Sequence, residues 1–346
     1  MLKKTITTIA FASAVALAST AVSAQQPKDI KWGTGPAGSS GGKALVTLSN
    51  ILNKQMPEYR ITVLPTPGAV GTVKGFAMGE LDGYYGSDVA LKEFATDSGR
   101  FKGFKAHAKR TPVQSFWSYT LDVGIAIKAS NRDKIKSWSD LAGKPVYTGP
   151  LPFDTRKHLE NALAALGVKH IYREVDLATA GSQLDDGAIQ AMIIYAAGGV
   201  TPPPWLSQAS LAVEWVALNP TPDEIKKLES LGFGVDMVPP ANLKRTEAQN
   251  KEIALLPFYW GFDVGTNVPE NDVYKMLTVI EKNADDLGKL DPSFRQIAGG
   301  KMADFQAKAL KSTWKLVPIH PGLAKYLKEK GKWNKDWDSN LAKSSS

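Results

Sequence analysis

Gly33, Gly35 and Gly38 stand at the spacing G-x-G-x-x-G, directly after the apolar residues of 30–32 and just before a helical pattern. Backbone N–H groups in such a loop, at a helix start, can hold an anion with no cationic side chain. In a dinucleotide site the same spacing cradles a pyrophosphate, and an acidic residue at the end of the second strand grips the ribose. Here that strand ends at Leu64-Pro65, and Glu58 falls before it, so the dinucleotide reading fails. The P-loop pattern fails as well, with Ala37 and Ala44 where Gly and Ser/Thr belong. Ser40 lies at the centre of Gly38-Ser39-Ser40-Gly41-Gly42, the spacing of a nucleophile elbow. A secreted serine hydrolase using Ser40 is therefore a rival reading. An elbow needs an acid and then a histidine downstream, and His107, His158, His170 and His320 stand in no recognisable local signature. There is no cysteine and no metal-binding spacing, so neither a metal nor a cofactor is expected.

Three more loops with glycine, hydroxyl or charged residues follow strand-like runs: Gly86-Ser87-Asp88; Thr148-Gly149-Pro150 with Asp154-Thr155-Arg156; and residues 195–199. In open α/β sheets ligands bind beyond the carboxyl ends of the strands, so four such loops can converge on one cleft. The expected ligand contacts are Thr34, Gly35, Gly38, Ser39 and Ser40 from the first loop and Ser87 and Asp88 from the second. Thr148, Gly149, Phe153, Thr155 and Arg156 belong to the third, and Tyr195 and Gly198 to the fourth. Taken singly, each loop is an ordinary turn or cap. Arg156 can pair a carboxylate in bidentate fashion, and a helix first turn is otherwise a poor place for a cation. Asp154 fits if its carboxylate caps the helix and turns from the cleft. Of Tyr84, Tyr85, Phe153, Tyr195 and Trp205, two or three are expected to wall the pocket and the rest to be core.

Strand and helix patterns alternate from Ile30 onward, which argues for α/β architecture. Leu45, Leu48 and Leu52 predict a helix over 41–55 with one buried stripe, then a strand over 61–64 and a short helix over 68–79. A strand and its loop are read over 83–89, and strands over 123–127, 145–148, 189–195 and 258–264. Ser137 and Asp140 fit a capping box, as do Thr221 and Glu224 around Pro222. Gly167 stands where a helix over 154–166 must stop. One long helix is predicted over 268–286, and a lysine-rich helix from Pro321 with Leu323, Tyr326 and Leu327 inside.

The first 24 residues read as a signal peptide: Lys3-Lys4, an apolar run over 6–18, and a small-residue site Val22-Ser23-Ala24. The run is short for a span of roughly 20 residues, so export to the periplasm with cleavage before Gln25, and no stable membrane insertion, is expected. About 320 residues then remain, enough for two domains of about 150. The formal charge of +8 is mostly lysine spread along the chain, a solvated surface and not a nucleic-acid footprint.

Over 30–328 the chain resembles the TAXI-type solute receptors of tripartite ATP-independent periplasmic (TRAP) transporters. The resemblance lies in Gly33-Thr34-Gly35, in Gly79-Glu80-Leu81-Asp82 with Ser87-Asp88-Val89-Ala90, in 135–143 followed by 146–150, in 187–199, and in Pro318-Ile319-His320-Pro321-Gly322. It implies a type II periplasmic-binding-protein fold: two α/β lobes, a central ligand cleft and two crossing hinge strands. Lobe one would take 25–125 and 262–346, and lobe two 126–261. The implied ligand is a small organic acid, glutamate-like, a dicarboxylate or a 2-oxoacid, delivered to sodium-coupled TRAP permease subunits with no chemical step. An ABC-type receptor of the same fold is the alternative partner reading. Ser39-Ser40 replace a common aromatic pair, Leu151-Pro152-Phe153 a small Ser-Gly run, and Tyr84-Tyr85 aliphatic residues. These changes point away from glutamate, toward a bulkier carboxylate.

Overall fold

The computed structural model describes residues 26–36 and 39–343. The leader with its cleavage site, and Gly38, lie outside the described residues. The first half of the chain alternates strictly: β1 Lys28–Thr34, α1 Ser40–Gln55, β2 Tyr59–Pro65, α2 Ala69–Met78, β3 Gly83–Ser87 and α3 Asp88–Ala95. A long strand, β4 Trp117–Lys128, leads to β5 Pro145–Tyr147, α4 Asp154–Leu166, β6 Ile171–Tyr172, α5 Ala180–Asp185 and β7 Ala191–Ala197. Next come α6 Pro204–Ala212, β8 Trp215–Ala217, α7 Pro222–Ser230, β9 Asp236–Val238 and the second long strand, β10 Ile253–Val264. Four helices close the chain: α8 Glu270–Lys282, α9 Ala284–Leu290, α10 Met302–Thr313 and α11 Pro321–Glu329.

The strand order is β2-β1-β3-β10-β4-β7-β5-β6, with β8 on β4 and β9 on β10. Two parallel groups, β1–β3 and β5–β7, are joined only through β4 and β10, both antiparallel to their neighbours. The carboxyl-terminal part of β10 pairs with β3, its middle with β4 (Leu256 opposite Val123) and its start with β9. β4 pairs in turn with β7 and β8. Each long strand thus leaves one sheet half and enters the other. This is the type II arrangement of two lobes and two crossing strands. All of β4 except Lys128 is buried, as expected of a strand covered on both faces, and the strand is longer than the expected 123–127.

Local sequence explains most elements. Leu45, Leu48 and Leu52 are buried under α1. At α7 the Thr221 hydroxyl accepts from Glu224 N (3.2 Å) and Glu224 Oε2 from Thr221 N (2.8 Å). The Ser137–Asp140 box forms too, yet only a single 3-10 turn, Ser139–Leu141, follows it. Three expectations change. Val89 lies in helix α3, begun by the Ser87 hydroxyl accepting from Ala90 N, and not in a loop. The expected long helix breaks at Asn283 into α8 and α9, where the Asn283 amide donates back to Val279 O (2.7 Å). α10 was not foreseen. It docks by Gln306, which bonds both the N–H and the C=O of Trp117 at the head of β4. Among the described residues no helix is long and apolar enough to cross a membrane.

Candidate functional site

Three helices, α1, α2 and α4, start after the carboxyl ends of β1, β2 and β5. Their first turns meet at a cavity of about 60 Å³ between the lobes. The β1–α1 loop contributes Gly35, Pro36, Ser39, Ser40 and Gly41, and the start of α2 contributes Gly68 and Ala69. Ser39 is the cap of α1, its hydroxyl accepting from Gly42 N at 3.1 Å. From the other lobe come Phe153, Asp154 and Thr155 at the start of α4. The walls are Tyr85 of β3, Leu121 of β4, Tyr195 of β7 and Trp260 of β10. Tyr85 stacks on Trp260 (4.4 Å) and Phe262 (5.0 Å), and its hydroxyl meets that of Tyr119 at 2.8 Å. Burial pushes the Tyr85 and Tyr195 phenols up, so both are neutral hydrogen-bonding groups. The buried Thr155 Oγ1 has no partner within the protein, nor has Thr34 Oγ1 at the end of β1. An unpartnered buried hydroxyl is costly, and a ligand atom would satisfy it.

The lobes touch through Asp154. Its carboxylate accepts from Ser87 Oγ and from Arg100 Nη1, both in the other lobe. Arg100 also donates to Glu93 Oε2 (2.7 Å) and to Pro152 O (3.2 Å). The Asp154 side chain is 0% exposed. Burial would lower the Arg100 pKa, but Asp154 and Glu93 outweigh it and hold the guanidinium charged. The expectation that Asp154 caps α4 is corrected: Phe153 occupies the cap position, and no side chain bonds there.

Gly35, Ser39, Ser40, Phe153, Thr155 and Tyr195 line the cavity, Thr34 lies directly before it, and Ser87 stands behind Asp154. Neither Thr34 nor Ser87 is in the lining itself, and five further expected contacts lie away from it. Asp88 lies on another face of α3, paired with Lys92 at 3.1 Å. The Thr148 hydroxyl donates to Glu160, and Gly149 O accepts from Tyr172 (3.0 Å). Gly198 donates to Thr120 O and packs against Ser293. Arg156 is the largest departure. Its guanidinium lies 4.1 Å from the centre of the Tyr172 ring and 3.5 Å from Glu160. Asp154 and Thr155 face the cavity, and successive residues turn by about 100° around a helix, so Arg156 swings outward to its i+4 partner. Tyr84 is core, its hydroxyl bonded to Val113 O, and Trp205 supports the Tyr195 hydroxyl from behind (3.2 Å). Sequence reasoning missed Leu121 and Trp260. The alternation Phe258, Trp260, Phe262 on one face of β10 was the available clue.

Among the described residues no histidine lines the cavity beside Ser40. His158 stacks on Phe258 (4.6 Å), His170 pairs with Glu160, and His320 caps α11 through Nδ1 and meets Val268 O through Nε2. Among the described residues no cluster of His, Asp or Glu could hold a metal.

Fold and cavity together define a two-lobed α/β protein of the type II periplasmic-binding-protein fold, with its cavity at the seam. The chain belongs to the NMT1-like family, whose model matches residues 32–331. No curated protein matches it. Among solved structures it is similar to the periplasmic aliphatic sulphonate binding protein SsuA from Escherichia coli, at 16% identity over 90% of this chain and 89% of that one, TM-score 0.42. It is also similar to a putative L-cystine ABC transporter from Listeria monocytogenes, at 15% identity over 77% and 95%, TM-score 0.44. A third is the probable amino-acid ABC transporter extracellular-binding protein ytmK from Bacillus subtilis, at 16% identity over 79% and 98%, TM-score 0.45.

Proposed function

We propose that this protein is a periplasmic solute receptor that captures a small organic anion, a carboxylate, between its lobes and delivers it to a membrane permease. The observation that carries the reading is the seam cavity, where three helix starts, an unpartnered buried threonine hydroxyl and aromatic walls converge. Such helix starts favour negative charge, and the enclosing walls strengthen that attraction. With Arg156 turned outward, the anion rests on backbone N–H groups and the Ser39 and Ser40 hydroxyls of lobe one, and Thr155 Oγ1 is free to bond another polar atom of the ligand. Residues 25–125 with 262–346, and 126–261, are the bodies whose closure buries it, and residues 1–24 are removed on export. Capture requires no chemical step, and among the described residues no histidine stands beside Ser40 to supply one.

The test is a thermal-shift and calorimetric screen of residues 25–346 against carboxylates and sulphonates. A ligand at 100 times its Kd adds about 2.7 kcal/mol of stability. Silence across the carboxylates overturns the ligand reading. The partner is proposed as a sodium-coupled TRAP permease, from the TAXI resemblance. Ligand uptake in membrane vesicles driven by a sodium gradient supports that partner. Uptake that requires ATP assigns an ABC transporter instead.

A further inference from the structure

Among the described residues, the cavity lining carries one charged side chain, Asp154, and neither Lys nor Arg. That carboxylate is spent within the protein, on Arg100 and Ser87 from the opposite lobe. Arg100 is itself shared with Glu93, so the cluster behind this wall holds two carboxylates against one guanidinium. The α4 end of the cavity is therefore no place for a ligand anion, although it is a helix start. The α1 and α2 ends in the other lobe have no acidic side chain in the lining. The lining also carries the aromatic rings of Tyr85, Trp260 and Phe153.

We infer that Asp154 determines specificity: it rejects a second negative charge and restricts the receptor to monoanionic acids with a flat apolar body. This rests on the anion-receptor reading above and narrows it. The single carboxylate sits at the lobe-one helix starts, the apolar body lies along the aromatic walls, and Thr155 Oγ1 is left for a neutral polar atom. A diacid would set its second carboxylate beside Asp154, in a lining that among the described residues holds no Lys or Arg, where like charges repel. The same carboxylate forms a contact between the lobes, so a diacid also opposes the closure that buries it.

The inference is tested by calorimetry on residues 25–346 with matched probes, phenylacetate against phenylmalonate and benzoate against phthalate. Each monoacid is expected to bind roughly tenfold or more tighter than its diacid, the scale set by one unfavourable charge contact. A diacid that equals or exceeds its monoacid overturns the inference and leaves the receptor reading standing. Failure of all four overturns both. Asp154→Asn, checked for folding by circular dichroism, is expected to recover diacid binding by about tenfold. Unchanged discrimination removes Asp154 from the role. Arg100→Gln supplies the second arm. It leaves the Asp154 carboxylate without its cation and is expected to weaken even the monoacids, again by about tenfold. Monoacid affinity equal to wild type in Arg100→Gln also overturns the inference.

Discussion

Replacing Gly41 with alanine probes how tightly the start of α1 is packed. A Cβ at Gly41 would stand 2.4 Å from Tyr85 Cε1, 2.5 Å from Cζ and 2.9 Å from the hydroxyl. Tyr85 cannot easily retreat, since it is stacked on Trp260 and Phe262 and bonded to Tyr119. Either the ring or the first turn of α1 must shift by about an ångström, an overpacking that costs roughly 1–3 kcal/mol. Alanine is the better helix former by up to about 1 kcal/mol, and by less in a first turn, so the net loss is about 1–2 kcal/mol. Gly71→Ala is the control. It lies in the first turn of α2, and its Cβ would meet nothing closer than 3.6 Å, so only a propensity gain of up to about 0.5 kcal/mol remains. Thermal unfolding followed by circular dichroism should move the two variants in opposite directions. Tyr85 walls the cavity, so Gly41→Ala should also weaken the ligand found by the screen, which calorimetry reads directly. A Gly41→Ala protein as stable as Gly71→Ala, with wild-type affinity, would refute the close packing on which the cavity's shape depends.

Ser40→Ala is expected to weaken ligand binding by about 0.5–1.5 kcal/mol in calorimetry, the net worth of one neutral hydrogen bond. The wild type should hydrolyse no p-nitrophenyl ester; turnover that disappears in Ser40→Ala would restore the hydrolase reading. Arg156→Ala should leave affinity within about 0.5 kcal/mol, because its side chain touches Tyr172 and Glu160 outside the cavity. A loss of affinity several times larger would place this arginine at the ligand. Asp263 on β10 is wholly buried, and burial raises its carboxyl to about 7. The folded protein therefore binds a proton that the unfolded chain releases between the ordinary value of 3.8 and about 7, and the Asp263 contribution to stability falls as pH rises through that window. Asp263→Asn can still accept from Ser115 N and Phe116 N, so its stability gain over wild type should be full above pH 7, shrink on acidification and vanish below pH 4. Urea unfolding at pH 8, 6 and 4 checks the trend, and a gain that grows on acidification contradicts it.

Much of the architecture was legible in the residues because it is local. A leucine stripe at helical spacing, the Thr221–Glu224 box and glycine at a helix stop each act within one or two turns of chain. α1, α2, α4 and α7 accordingly fall within a residue or two of where they were expected. One miss is local: α3 starts at Ser87, whose hydroxyl accepts from Ala90 N, directly after the expected strand. Another has a long-range part. α8 stops at Asn283, whose side-chain oxygen also accepts from Gln55 on the neighbouring helix α1.

At the cavity the same division holds. Sequence alone determined that hydroxyl- and glycine-bearing loops stand at strand ends and helix starts, because backbone N–H groups left free in a first turn need no distant partner to exist. Only the tertiary structure decided which of those loops meet and which side chains they turn inward. Asp154 and Arg100 are 54 residues apart, and Trp260 reaches Tyr85 from the far end of the chain. Arg156 had the right chemistry for an anion and the wrong helical phase. That phase was settled when Asp154 was drawn to Arg100 and Ser87 across the seam, because burying a carboxylate is tolerable only beside partners that local sequence cannot reveal.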